Sequence, residues 1–115
     1  PDGMQKLARW LQKHRQSFPK VILVMGMLKD KDRRQAAQKL ESLVDRIIIT
    51  RPPSERALDW EEMAKEFSHI EPQKITLMED GAQALQLARG MADPQDLILV
   101  TGSLYLVGSL RAFFE

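Results

Sequence analysis

Apolar residues along the chain fall into two kinds of run. Val21-Ile22-Leu23-Val24-Met25, Arg46-Ile47-Ile48-Ile49-Thr50 and Leu97-Ile98-Leu99-Val100 are continuous rather than alternating. Such runs suit strands covered on both faces of a parallel sheet. Between them, apolar residues recur at helical spacing: Met4, Leu7, Ala8 and Leu11; then Ala36, Ala37, Leu40 and Leu43; then Trp60, Met63, Ala64 and Phe67; then Leu85, Ala88 and Met91. Lys74–Met78 reads as a third, weaker strand in chain order, and the fourth strand is expected over Asp96–Thr101. Asp2 favours a first helix running to about Ser17, which Pro19 cannot continue. Asp32 is placed to cap the second helix, while Asp59 with Glu62 and Asp80 with Gln83 have capping-box spacing. Ser103 is expected to cap a last helix carrying Leu106, Val107, Leu110 and Phe113.

Helices alternating with strands imply right-handed crossovers and a parallel sheet. The expectation is an α/β fold: a three-layer, Rossmann-like domain with a mainly parallel sheet of about four strands and helices on both faces. With 115 residues, one domain spans the chain, residues 1–115. Its 43% hydrophobic content is enough for a core without covalent staples.

Lys and Arg number 17 and Asp and Glu 16, so charge gives no reason to expect nucleic acid. The absence of cysteine removes disulfides, thiolate metal sites and thiol nucleophiles, and fits a cytoplasmic location. No apolar run approaches the length of a membrane span, and no signal peptide is visible. The dinucleotide and phosphate-loop glycine motifs are missing. His14 and His69 lack ligand spacing and read as surface residues, so no metal site is expected.

Candidate chemistry concentrates where strands end. Gly26-Met27-Leu28-Lys29-Asp30-Lys31-Asp32 follows the first strand and Thr101-Gly102-Ser103-Leu104-Tyr105-Leu106-Val107-Gly108 follows the last. In parallel sheets, ligands collect beyond the carboxyl ends of strands, where connections diverge. Ser103 reads as an ordinary cap or as a cap that also holds a carboxylate. Lys29 reads as a solvated charge or as a cation for a carboxylate or phosphate. Asp30 and Asp32 could reach Mg²⁺ through water, although Asp32 suits the helix cap better. Arg51 and Arg56 flank Pro52-Pro53 beyond the second strand and read as surface charges or as phosphate or ribose contacts. Trp10, Trp60 and Tyr105 suit packing. No complete set of base, nucleophile and oxyanion donors can be assembled.

Met25-Gly26-Met27-Leu28-Lys29-Asp30-Lys31-Asp32 and Thr101–Gly108, with weaker marks at Thr50-Arg51-Pro52 and Arg56-Ala57, resemble the carboxyl-terminal domain of folylpolyglutamate synthase, often bifunctional as dihydrofolate synthase, in the Mur-ligase group. The resemblance covers nearly the whole chain. Pro1-Asp2-Gly3-Met4 is similar to the tail of the segment by which that family enters this domain, so the chain resembles a fragment of a longer enzyme. The resemblance implies an ATP-dependent, amide-forming ligase that joins L-glutamate to dihydropteroate or folate through an acyl phosphate. It implies that ATP and Mg²⁺ are held mainly by an amino-terminal ATPase domain outside this sequence, and that the fragment alone does not turn over. By position, Ser103 matches the family's glutamate-associated serine. Lys29, Asp30 and Asp32 match the loop facing the interdomain cleft, with Lys29 assigned to glutamate. Arg51 and Arg56 match the nucleotide side. Two rival readings are the corresponding domain of a peptidoglycan Mur ligase and a non-catalytic α/β module that binds a nucleotide or a protein.

Overall fold

A computed structural model describes residues 2–28, 32–100 and 105–107. Helix α1 (Asp2–His14) runs into a 3-10 turn at Arg15–Ser17 and leads to strand β1 (Val21–Met25). Helix α2 (Arg33–Leu40), strand β2 (Arg46–Ile49), a 3-10 segment (Trp60–Glu66), strand β3 (Ile75–Leu77), helix α3 (Gly81–Met91), strand β4 (Leu97–Val100) and strand β5 (Tyr105–Val107) follow. The strand order is β3-β2-β1-β4-β5. The first four strands are parallel to their neighbours, and β5 pairs antiparallel with β4.

Side chains of a strand point alternately to the two sheet faces, and this alternation splits the continuous apolar runs into two cores. Val21, Leu23 and Met25 of β1, Ile47 and Ile49 of β2, and Leu97 and Leu99 of β4 join Leu7 and Leu11 of α1, Ala37 and Leu40 of α2, and Trp60, Met63 and Phe67. The intervening residues Ile22, Val24, Ile48 and Ile98 pack with Ala84 and Ala88 of α3 on the other face. This is the three-layer arrangement that unbroken apolar strands require, because each has two faces to cover.

Of the caps expected before the second, third and fourth helices, two form. The carboxylates of Asp32 and Asp80 accept from the amides of Gln35 and Gln83, each at 2.9 Å. The Asp59–Glu62 capping box does not. Asp59 makes no side-chain cap, the segment behind it winds as a 3-10 helix rather than an α-helix, and its carboxylate faces Arg33 instead. The expected last helix is also corrected: Tyr105–Val107 is a strand, in register Ile98↔Val107, Leu99↔Leu106 and Val100↔Tyr105. Three strand-forming residues beside an otherwise unpaired edge of β4 satisfy more backbone groups as a ladder than as isolated helical turns.

Candidate functional site

Strand order dictates where a crevice opens. From β1 the chain steps outward through β2 to β3, whereas β4 returns to the opposite side of β1. The connections therefore diverge between β1 and β4, the topological switch point at which open α/β sheets bind ligands. The two strands run parallel with Val24 opposite Val100, so both carboxyl ends lie on one sheet edge, about 4.8 Å apart laterally. The chain leaves β1 toward Gly26-Met27-Leu28 and leaves β4 toward Thr101-Gly102-Ser103. Lys29, Asp30 and Ser103 themselves lie outside the described residues. The helix that Ser103 was expected to cap is replaced over Tyr105–Val107 by a strand.

Gly26 is buried at the end of β1. A Cβ there would sit 2.4 Å from the Thr50 carbonyl oxygen and 3.1 Å from Pro52 Cδ. Only hydrogen fits, so glycine lets the rim after β2 lie directly against the end of β1. That rim is built from backbone. The Thr50 amide donates to Met25 O at 2.9 Å and the Met78 amide to Ile49 O at 2.9 Å, extending the ladders one residue beyond each strand. The Arg51 amide and the Thr50 hydroxyl both donate to Glu79 O, at 3.1 and 2.9 Å.

Arg51 stands at the carboxyl edge as expected, but its guanidinium donates to the Glu79 carboxylate at 3.0 Å. It lines an open depression with Pro52, Ser54, Glu79, Asp80 and Gln83. Cation and carboxylate both face this depression, so it is not simply an anion-attracting surface. Arg56 is exposed on the same connection, its amide bonded to the Ser54 hydroxyl at 3.1 Å. By strand order this rim lies one strand from the end of β1 and two from that of β4, about 5 and 10 Å respectively. Asp32 serves as the α2 cap, and among the described residues no three His, Asp or Glu side chains converge as a metal site.

Sequence reasoning missed Arg33. This first residue of α2 is buried, its side chain 8% exposed. Its Nε and Nη2 donate to Met27 O at 3.0 and 2.7 Å, and Nη1 and Nη2 reach the two Asp59 carboxylate oxygens at 3.2 Å each. One guanidinium thus joins the exit of β1, the start of α2 and the end of the rim after β2. The only sequence signal was an arginine one residue past a helix cap, which is indistinguishable from a surface charge. The histidines have ordinary partners: His14 Nδ1 lies 2.9 Å from Trp10 O with its ring stacked on Trp10, and His69 Nδ1 lies 2.8 Å from Glu41 Oε1. No helix among the described residues is long and apolar enough to cross a membrane.

Comparison with known proteins accords with this arrangement. Residues 1–104 match the family model described as Mur ligase, glutamate ligase domain. A dihydrofolate synthase/folylpolyglutamate synthase of Mycobacterium tuberculosis is 29% identical over 99% of the chain and 26% of its own length. M. tuberculosis folylpolyglutamate synthase complexed with ADP superposes with a TM-score of 0.72 at 26% identity, covering 87% of this chain and 25% of that one. A bifunctional folylpolyglutamate synthase/dihydrofolate synthase solved with Mn, AMPPNP and L-glutamate gives a TM-score of 0.64 at 26% identity, covering 81% of this chain and 22% of that one. The chain spans about a quarter or less of the length of the curated relatives it matches. With nine-tenths of its residues inside the family match, the chain belongs to the glutamate ligase domain family of the Mur ligases, ATP-dependent amide-forming enzymes.

Proposed function

We propose that this chain is the carboxyl-terminal, glutamate-binding half of an ATP-dependent ligase that adds L-glutamate to dihydropteroate or folate. The observation that carries the reading is the parallel pairing of β1 with β4 at the switch point of a Mur-ligase glutamate domain. It brings the two motif-bearing connections out on one edge. The relative solved with L-glutamate, Mn and AMPPNP supports the same ligand classes.

ATP supplies the activation: its γ-phosphoryl group passes to the acceptor carboxylate, ADP leaves, and the acyl phosphate is then attacked by the glutamate amine with loss of phosphate and a proton. The task of this domain is to hold an amino acid with two carboxylates beside an anionic acyl phosphate. A lysine at position 29 offsets that repulsion, and the Ser103 hydroxyl donates to a glutamate carboxylate. Gly102 leaves room for the ligand to approach the backbone. By the family resemblance, the metal and the ATP phosphates are assigned mainly to the amino-terminal ATPase domain of the complete enzyme. Arg51 and Arg56 stand on the nucleotide side of the cleft, with Glu79 holding the Arg51 guanidinium in place. The complete enzyme acts in the cytoplasm.

In the full-length protein, Ser103→Ala raises the glutamate KM by about tenfold, the worth of one hydrogen bond to a charged group, and leaves the ATP KM within about twofold. Steady-state phosphate release with glutamate varied checks this. Unchanged kinetics would remove Ser103 from the pocket.

A further inference from the structure

A strand at the edge of a sheet leaves half of its backbone groups without a ladder partner. β3 is such a strand. The Met78 amide donates to Ile49 O, one residue beyond the register Ile49↔Leu77. Thr76 and Met78 therefore turn their backbone groups toward β2, and Ile75 and Leu77 turn theirs away from it. The Ile75 amide is taken by Pro72 O. What faces outward is a donor, the Leu77 amide, and an acceptor two residues before it, the Ile75 carbonyl. Ile75-Thr76-Leu77 contains no charge and no proline of the kind that blunts an edge. The side chains add an apolar surface to this pattern. Leu77 is 45% exposed, and it continues a groove of about 460 Å³ lined by Ala64, Phe67, Ile70, Pro72 and Ile75.

A donor and an acceptor spaced this way on one strand complement themselves about a two-fold axis. We propose that β3 is a dimerisation edge, on which a second copy of the chain lays its own β3 antiparallel, Thr76 opposite the partner's Thr76. This is the one antiparallel register in which all three strand residues of each copy oppose a strand residue of the other. Ile75 then lies opposite the partner's Leu77, and Leu77 opposite the partner's Ile75. Each Leu77 amide donates to the Ile75 carbonyl across the axis, giving two equivalent bonds. Ile75 and Leu77 share one sheet face, so the two grooves join into one apolar strip, while the threonines meet on the other face. Charge complements the ends of the ladder. Lys74, 44% exposed, comes opposite the partner's Met78, next to the partner's Glu79 and Asp80. The switch point lies two and three strands away, at the ends of β1 and β4, and stays open in this dimer. The proposal is therefore independent of the ligase reading.

The test is sedimentation equilibrium of the complete enzyme over a concentration series. Three residues a side make a small interface, so the expected result is a monomer–dimer equilibrium with a micromolar Kd. Leu77→Pro deletes the outward amide without touching a bond to β2, the one arrangement in which an edge strand tolerates proline. Leu77→Lys instead puts a charge into the apolar strip. Each raises the dimer Kd about tenfold or more, because two-fold symmetry counts every change twice. Leu58→Lys, at an apolar residue 78% exposed on the connection after β2, leaves the Kd within about twofold. Amide exchange at Leu77 slows as the dimer fills. An enzyme that stays monomeric to about 1 mM overturns the proposal. So does a dimer whose Kd neither Leu77→Pro nor Leu77→Lys changes, since its contact then lies elsewhere.

Discussion

Gly26→Ala should lower the melting temperature by roughly 12 °C, from about 3 kcal/mol of overpacking at about 4 °C per kcal/mol for a domain of this size. The added methyl would lie 2.4 Å from the Thr50 carbonyl oxygen, closer than any real Cβ contact. Its neighbour is backbone, not the end of a flexible side chain. That backbone is itself tied down, by the Thr50 amide on Met25 O and the Arg51 amide on Glu79 O. Relief requires the end of β1 and the rim after β2 to separate, breaking ladder bonds on both sides. The consequence is local as well as global, because the same separation displaces the exit of β1 at the switch point. Thermal unfolding followed by circular dichroism reads the effect. A melting temperature within about 2 °C of the parent would show that the rim yields freely and that the close packing does not define the edge.

Asp59→Ala should cost about 3 kcal/mol, and more than Arg33→Met, although both break the Arg33–Asp59 pair. The asymmetry follows from burial. Arg33 is 8% exposed and Asp59 32%, so removing the carboxylate strands a desolvated cation, whereas removing the guanidinium leaves a carboxylate that water can reach. Arg33→Met still orphans Met27 O, which sets its cost at about 2 kcal/mol. Combining the two substitutions removes the stranded charge, so the double variant should lose at least about 1 kcal/mol less than the sum of the singles. Urea denaturation of the four proteins measures the cycle. Strict additivity would mean that the pair is a solvent-screened surface contact, contrary to its geometry.

Much of this fold was legible because parallel strands with two covered faces leave an unmistakable trace. Ile47-Ile48-Ile49 and Leu97-Ile98-Leu99 could be little else, and their alternation in space divides them between the two cores. The caps Asp32 and Asp80 were legible for a local reason: a carboxylate three residues before a free amide needs nothing from the rest of the chain. Asp59 shows the limit of that rule. It has the same local pattern, but a buried arginine 26 residues away takes its carboxylate, and the helix it should have capped winds as a 3-10 segment. Tyr105-Leu106-Val107 shows another limit, for three apolar residues fit a helical face and a strand equally well until the free edge of β4 decides. Arg33 was illegible altogether, since its importance lies in partners that only the folded chain assembles. The switch point itself was half legible: the motifs marked the ends of β1 and β4, and the strand order shows those ends to be neighbours.

A crystal structure of the full-length protein with L-glutamate bound is the most direct measurement of the central claim, that the connections leaving β1 and β4 form the amino-acid half of a ligase cleft. The account predicts the glutamate between these two connections, its carboxylates within hydrogen-bond distance of the Ser103 hydroxyl and the Lys29 ammonium. Glutamate seated elsewhere, with neither side chain touching it, would contradict the account.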